Sequence, residues 1–236
     1  MSPLADFLPM TVAMSQIIDL FSSLLFPCLH CGSLQCQKPP LCTQCSQQLV
    51  RYEGAPLHQY DEGLFQAYSQ YEWSPGQSDI FSSMVLSLKG KYSRRYWARL
   101  AAEFVQKRLS LEMQNRPIKI VPAPSSSGKK DHAFWWGETL ARELKADFVP
   151  CLQKATKRSQ RGQSRQQRSK LRISVDEKYS DQIDSSSEAL WVFVDDILTT
   201  GATAHAAYEA LGSPPHFEVW VLGYRSLSCG VSRDLL

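Results

Sequence analysis

The segment Val192 to Thr203, VFVDDILTTGAT, constrains this chain more than any other. Leu190 to Val194 is an unbroken apolar run with aromatic and β-branched members, the pattern of a strand covered on both faces in a parallel sheet. Asp195 and Asp196 follow at the expected carboxyl end of that strand, and Thr199, Thr200, Gly201, Ala202 and Thr203 open the next helix. Open α/β sheets take their ligands at that end. A helix N-terminus offers unpaired N–H groups and partial positive charge. Three threonine hydroxyls add donors, and Gly201 removes a β-carbon that would hold a phosphate off the backbone. No GxxxxGK[ST] pattern is present, which argues against an ATP-hydrolysing P-loop. Two aspartates beside a phosphate cradle would repel a bare anion. They suit the two hydroxyls of a ribose, held directly or through Mg²⁺, so diol and phosphate together specify a ribose 5-phosphate.

The flanking sequence builds an α/β domain around this segment. Ile118 to Pro124 reads as a short strand closed by prolines and followed by the loop Ser125 to Gly128. Trp135 to Leu144 reads as a helix, as does Ala202 to Leu211, which Gly212, Pro214 and Pro215 stop. Phe217 to Leu222 is a further strand. Upstream, Ile80 to Leu88 leads into a helix over Tyr92 to Leu111, where Tyr96, Leu100, Phe104 and Leu111 recur at helical spacing. Asp176 to Glu188 is polar and reads as a surface loop. Strand, helix and strand in close succession imply a parallel sheet with right-handed crossovers. Trp135 and Trp136 face different ways on a helix, so at most one stacks a base, and core packing is the preferred reading. His132 and His205 receive no role.

A chain of 236 residues, 43% hydrophobic, buries one main core plus a small accessory module. The expected division is 1–50 and 51–236. Five of the seven cysteines fall between Cys28 and Cys45, a spacing unlike a disulfide framework and consistent with a reducing, cytoplasmic setting. Cys28-x-x-Cys31 and Cys42-x-x-Cys45 form two knuckles that complete a closed tetrahedral Zn²⁺ site. Cys36 and His30 are substitute ligands, and redox or iron–sulfur chemistry is the alternative. Thr11 to Pro27 is apolar, but Gln16 and Asp19 interrupt it and no basic stretch precedes it. It reads as an amphipathic helix rather than a signal or a membrane span.

Net charge is only +3, but it is unevenly placed. Lys154 to Arg172 holds eight Lys or Arg and no acid. Three readings stand for this polar, Gly- and Ser-spaced stretch: a hood that closes on a polyanionic ligand, a track for a nucleic-acid backbone, or a solvated charge run.

DDILTTGAT resembles the motif of type I phosphoribosyltransferases that binds phosphoribosyl pyrophosphate (PRPP). The resemblance implies a Mg²⁺-dependent displacement of pyrophosphate, with Asp195 and Asp196 on the ribose hydroxyls and Thr199 to Thr203 on the 5-phosphate. The order of cysteine knuckle, VPAP and C-terminal PRPP motif is similar to that of the ComF family, associated with natural competence and DNA uptake. LKGKY (Leu88 to Tyr92) resembles that family's lysine-containing helix start, and Gln160, Ser164 and Arg168 its Q…S…R segment. This resemblance implies PRPP, single-stranded DNA or DNA-uptake helicase components as partners, and nucleotide salvage as the other setting; the alternatives to a transferase are a non-catalytic factor that binds single-stranded DNA or nucleotides, and a PRPP-sensing regulator. The chain departs from the family where RGFNQ is expected: His132 to Trp136 reads HAFWW and keeps only the phenylalanine. The cationic role of the lost arginine would then fall to Lys129 and Lys130, with Arg161, Arg165 and Arg168 on the hood.

Overall fold

The computed structural model describes residues 27–34, 36, 40–50, 58–60, 64–73, 79–89, 94–108, 116–125, 128–154, 173–183 and 188–225. The helix expected over Thr11 to Pro27 and the stretch 155–172 lie outside them, save Pro27 itself.

A short helix α1 (Thr43–Leu49) follows the cysteine knuckles. Strands β1 (His58–Tyr60) and β2 (Phe65–Trp73) precede helices α2 (Asp79–Leu88) and α3 (Arg94–Arg108). Then come β3 (Ile118–Pro122), α4 (His132–Leu144), β4 (Asp147–Phe148), β5 (Leu152–Lys154) and β6 (Ile173–Val175). The chain continues through β7 (Leu190–Leu198), α5 (Ala202–Ala210) and β8 (Phe217–Arg225). Six strands form one sheet in the order β1-β2-β8-β7-β3-β4, parallel except for the antiparallel β1–β2 pair, while β5 and β6 form a separate antiparallel pair. The parallel α/β architecture expected from sequence is therefore the observed one.

The pleat sorts the apolar side chains into two cores. Val192, Val194, Trp220 and Leu222 face α2, α3 and α4 in a cluster with Phe81, Trp97 and Trp136. Trp191, Phe193, Val219 and Val221 face the other way, with Ala204, Ala207 and Leu211 of and just after α5. Helix α4 shows how sequence sets this packing. The Asp131 side chain caps its start, accepting from Phe134 N–H at 3.4 Å. Ala133, Trp136, Gly137, Leu140 and Ala141 recur on one buried face. A β-carbon on Gly137 would lie 2.9 Å from Val194 Cγ2, so glycine is what lets the helix lie this close to the sheet. The helix ends at Lys145, in the left-handed region at φ 54°, and Ala146 N–H closes onto Ala141 O at 2.9 Å. Trp136 is fully buried between Trp97 and Phe104, which confirms packing over stacking for that ring.

Several details differ from the sequence reading. β7 runs on through Leu198, so the aspartates lie within the strand and not beyond it. The helix expected over Tyr92 to Leu111 is observed over Arg94–Arg108, and Lys89 of LKGKY follows the end of α2 instead of starting a helix. Glu177–Gln182 forms a short 3-10 helix within the expected loop. β2 was not anticipated.

At Gly223 on β8 a helix lies close on the sheet, since a β-carbon there would overlap the Phe81 ring of α2. Gly223→Ala is expected to cost about 1–3 kcal/mol by overpacking. Urea denaturation checks this, and pairing it with Phe81→Leu should cost less than the two single changes added together.

Candidate functional site

β7 loses one neighbour before the other. On one side its pairing with β3 ends at Pro122 and Val194, where Ala123 N–H donates to Val194 O at 2.8 Å. On the other side its pairing with β8 continues to Leu198 and Tyr224. Asp195 and Asp196 occupy the stretch that β3 has left, at the carboxyl edge of the sheet. Asp196 continues the Val192 and Val194 face, toward α2 and α4, and the Asp195 carboxyl lies beside it, within 4.8 Å of the Asp196 and His132 ligand atoms.

Asp196 is buried and held by three donors or cations. Its Oδ1 accepts from Ile197 N–H at 2.9 Å and lies 3.3 Å from His132 Nε2, and its Oδ2 lies 3.1 Å from Lys89 Nζ. Oδ2 has no hydrogen bond of good geometry. Asp195 Oδ1 accepts from Asp196 N–H at 2.8 Å. The two carboxyls titrate as a pair. Burial first, and then the adjacent Asp196 charge, push Asp195 up to about 8. Burial would raise Asp196 as well, but His132 and Lys89 outweigh it and hold that carboxyl below its usual range. Burial works against a charged His132, and the Asp196 hydrogen bond and charge overcome it, so the imidazole is raised. The charge of the pair therefore rests first on Asp196, the carboxyl beside Lys89 and His132.

Past β7, Thr199 and Thr200 turn into Gly201, whose φ of 75° is the left-handed conformation that glycine adopts freely. Ala202 and Thr203 begin α5, and Thr200 Oγ1 accepts from Ala202 N–H at 3.4 Å. The cradle read from sequence is therefore a helix N-terminus directly beyond the aspartates. His205 sits in the first turn of α5, 3.8 Å from Glu209.

His132 and Lys89 reach the aspartate pair, whereas Lys130 rides over the Phe134 and Trp135 rings at 4.6 and 5.6 Å and Lys129 is exposed. His132, left without a role from sequence, was findable as the residue following the Asp131 cap, one loop after VPAP. Gln160, Arg161, Ser164, Arg165 and Arg168 lie outside the described residues. That stretch connects β5 to β6, and β6 packs against α5, the helix that the threonine turn opens.

His132, Asp195 and Asp196 offer ligand atoms within 4.8 Å of one another. The carboxylate oxygens, one of them without a hydrogen bond, fit a hard cation such as Mg²⁺ and would hold it. A second cluster is made by Cys28, Cys31, Cys42 and Cys45, also within 4.8 Å of one another, and neither Cys36 nor His30 joins it. Gly32, at φ 72°, allows the turn in which its N–H returns to Cys28 O at 2.9 Å. Burial would raise Cys28, yet the N–H groups of Cys31, Cys42 and His30 more than offset it and bring the thiol to about 7. Four sulfurs so placed fit a thiophilic ion in a closed tetrahedral site.

No family model matches the chain, and no curated protein matches it. Among solved structures it is similar to a hypoxanthine-guanine phosphoribosyltransferase from Bacillus anthracis, at 15% identity and TM-score 0.34, over 59% of this chain and 73% of that one. It is also similar to adenine phosphoribosyltransferase from Saccharomyces cerevisiae, at 17% identity and TM-score 0.38, over 77% and 88%. Orotate phosphoribosyltransferase from Aeropyrum pernix gives 18% identity and TM-score 0.32, over 58% and 62%. Superpositions this loose carry no argument about activity, which rests on the site itself.

The His132–Asp196 contact has a measurable consequence. Because the folded imidazole is raised above 6.5, its contribution to stability is complete below that pH and is lost as pH rises through the folded value. An NMR titration should place the His132 midpoint above 6.5, and Asp196→Asn should return it toward 6.5.

Proposed function

We propose that this chain binds PRPP at the carboxyl edge of β7 and transfers its phosphoribosyl group to a nucleophile. The observation that carries this reading is the aspartate pair on the strand, Asp196 buried and Asp195 partly so, followed by a helix N-terminus opened by Thr199, Thr200 and Gly201. The Asp195 and Asp196 carboxyls, side by side at the end of the sheet, take the two ribose hydroxyls. Thr199, Thr200, Thr203 and the N–H groups of Gly201 and Ala202 take the 5-phosphate. In the transfer, the bond from ribose C1 to pyrophosphate breaks with its electron pair leaving on the pyrophosphate. A lone pair of the nucleophile forms the new bond to C1, and its proton passes to solvent. Mg²⁺ bound with PRPP supplies neutralisation of the pyrophosphate charge. The chain's own part is to hold the ribose in place and to set fixed charges around a developing oxocarbenium ion.

The eight basic residues of Lys154 to Arg172 fit a hood in this reading, because in sequence they join β5 to β6, and β6 packs against α5. The same acid-free run favours the second reading, a ComF-type factor that uses the fold to bind single-stranded DNA during uptake. In either case Cys28, Cys31, Cys42 and Cys45 bind one structural Zn²⁺, and 1–50 forms the accessory module.

Calorimetry with PRPP and Mg²⁺ tests the first reading. Asp195→Asn and Asp196→Asn are each expected to weaken binding about 10–100-fold, the loss of a charge-assisted hydrogen bond. Absence of PRPP binding together with salt-sensitive binding of single-stranded DNA would transfer the site to the second reading. For the cysteine cluster, metal analysis should return one zinc per chain. A strong chelator should lower the thermal midpoint of the wild type and leave Cys28→Ser, already metal-free, unmoved.

A further inference from the structure

Two ion pairs in this chain are built in contrasting ways. Arg108 Nη2 meets both oxygens of Glu218 at 2.8 Å and its guanidinium stacks on the Tyr68 ring at 3.6 Å, both partners being largely covered. That is a fixed structural pair. Lys89 is different: its side chain is 43% exposed, and it approaches Asp196 Oδ2 at 3.1 Å without hydrogen-bond alignment. Its backbone is anchored, with N–H directed at Val85 O and Leu86 O at 3.2 Å and Leu88 buried beside it. The ammonium is thus free to swing from a fixed base while Asp196 keeps its other partners. Oδ1 retains His132 Nε2 and Ile197 N–H, so the carboxylate stays compensated when the lysine leaves.

We propose that Lys89 is a substrate-contacting residue, whose ammonium leaves Asp196 Oδ2 for the pyrophosphate of PRPP as a ribose hydroxyl takes its place on that oxygen. This assignment rests on the PRPP reading above and names the cation that meets the leaving group. Three observations converge on it. Oδ2 is a buried acceptor lacking a hydrogen bond, which a hydroxyl donor would satisfy. Lys89 is the lysine that the described residues bring to the aspartate pair, since Lys130 is engaged with Phe134 and Trp135. A compact ammonium on a flexible four-carbon stem is also suited to exchanging one anionic partner for another.

The experiment compares two probes, PRPP with Mg²⁺ and ribose 5-phosphate, which lacks the pyrophosphate, by calorimetry on the full chain. Lys89→Ala is expected to weaken PRPP about 10–100-fold while changing ribose 5-phosphate by no more than about twofold, and Lys89→Arg to recover most of the loss. A purely structural lysine would instead weaken both ligands alike. Equal losses, or no loss of PRPP affinity, overturn the assignment and leave the ribose 5-phosphate reading standing. A wild type that binds ribose 5-phosphate as tightly as PRPP overturns it too, because no pyrophosphate contact would then exist. A wild type that binds neither ligand overturns the PRPP reading, and this proposal with it. Unchanged thermal midpoints establish that each variant is folded.

Discussion

The site depends on an unequal ending of strand pairing. β3 stops at Pro122, opposite Val194, while β8 stays with β7 to Leu198. A strand with both neighbours at that level would have to bury two adjacent carboxyls against packed side chains, at a cost of several kcal/mol for each unpaired charge. With one neighbour gone, the aspartates gain room for partners from elsewhere.

The cysteine module bears on the same place from the other side of α2. Tyr96 O–H of α3 donates to Pro27 O at 2.9 Å, and Ser87 O–H of α2 donates to Leu29 O at 3.1 Å. Cys28, Cys36, Leu41, Cys42, Cys45 and Leu49 join one buried cluster with Phe81, Leu88 and Trp97. The knuckles therefore brace the helix whose last turn leads to Lys89. A metal bound at the knuckles would act on the position of α2, without any ligand of its own near the aspartates.

The central strand, the helix after Gly201 and the four-cysteine cluster were legible in the sequence because each is a local pattern: an apolar run, a threonine and glycine turn, two CxxC pairs. β2 was not, because Gln66, Ser69, Gln70 and Glu72 interleave its apolar residues, while its pairing with β8 is a long-range fact. The continuation of β7 was hidden by the polarity of the aspartates themselves. The partners of Asp196 were the least accessible. Lys89 and His132 come from two other helical segments, and only the folded layers bring them to one carboxylate. Proximity in sequence favoured Lys129 and Lys130, yet the loop between VPAP and α4 turns Lys130 onto aromatic rings.

Because the apolar residues that lead up to the aspartates alternate between the two cores, the length of β7 is fixed by the chemistry at its end as firmly as by packing along it. Adding or deleting one residue between Leu190 and Asp195 would exchange the aromatic and aliphatic sets between the two cores. The same slip would take Asp196 off the position at which it meets Lys89 and His132. Substitution can tune such a site, but insertion and deletion within the strand cannot. Variation in chain length is therefore confined to the loops around it.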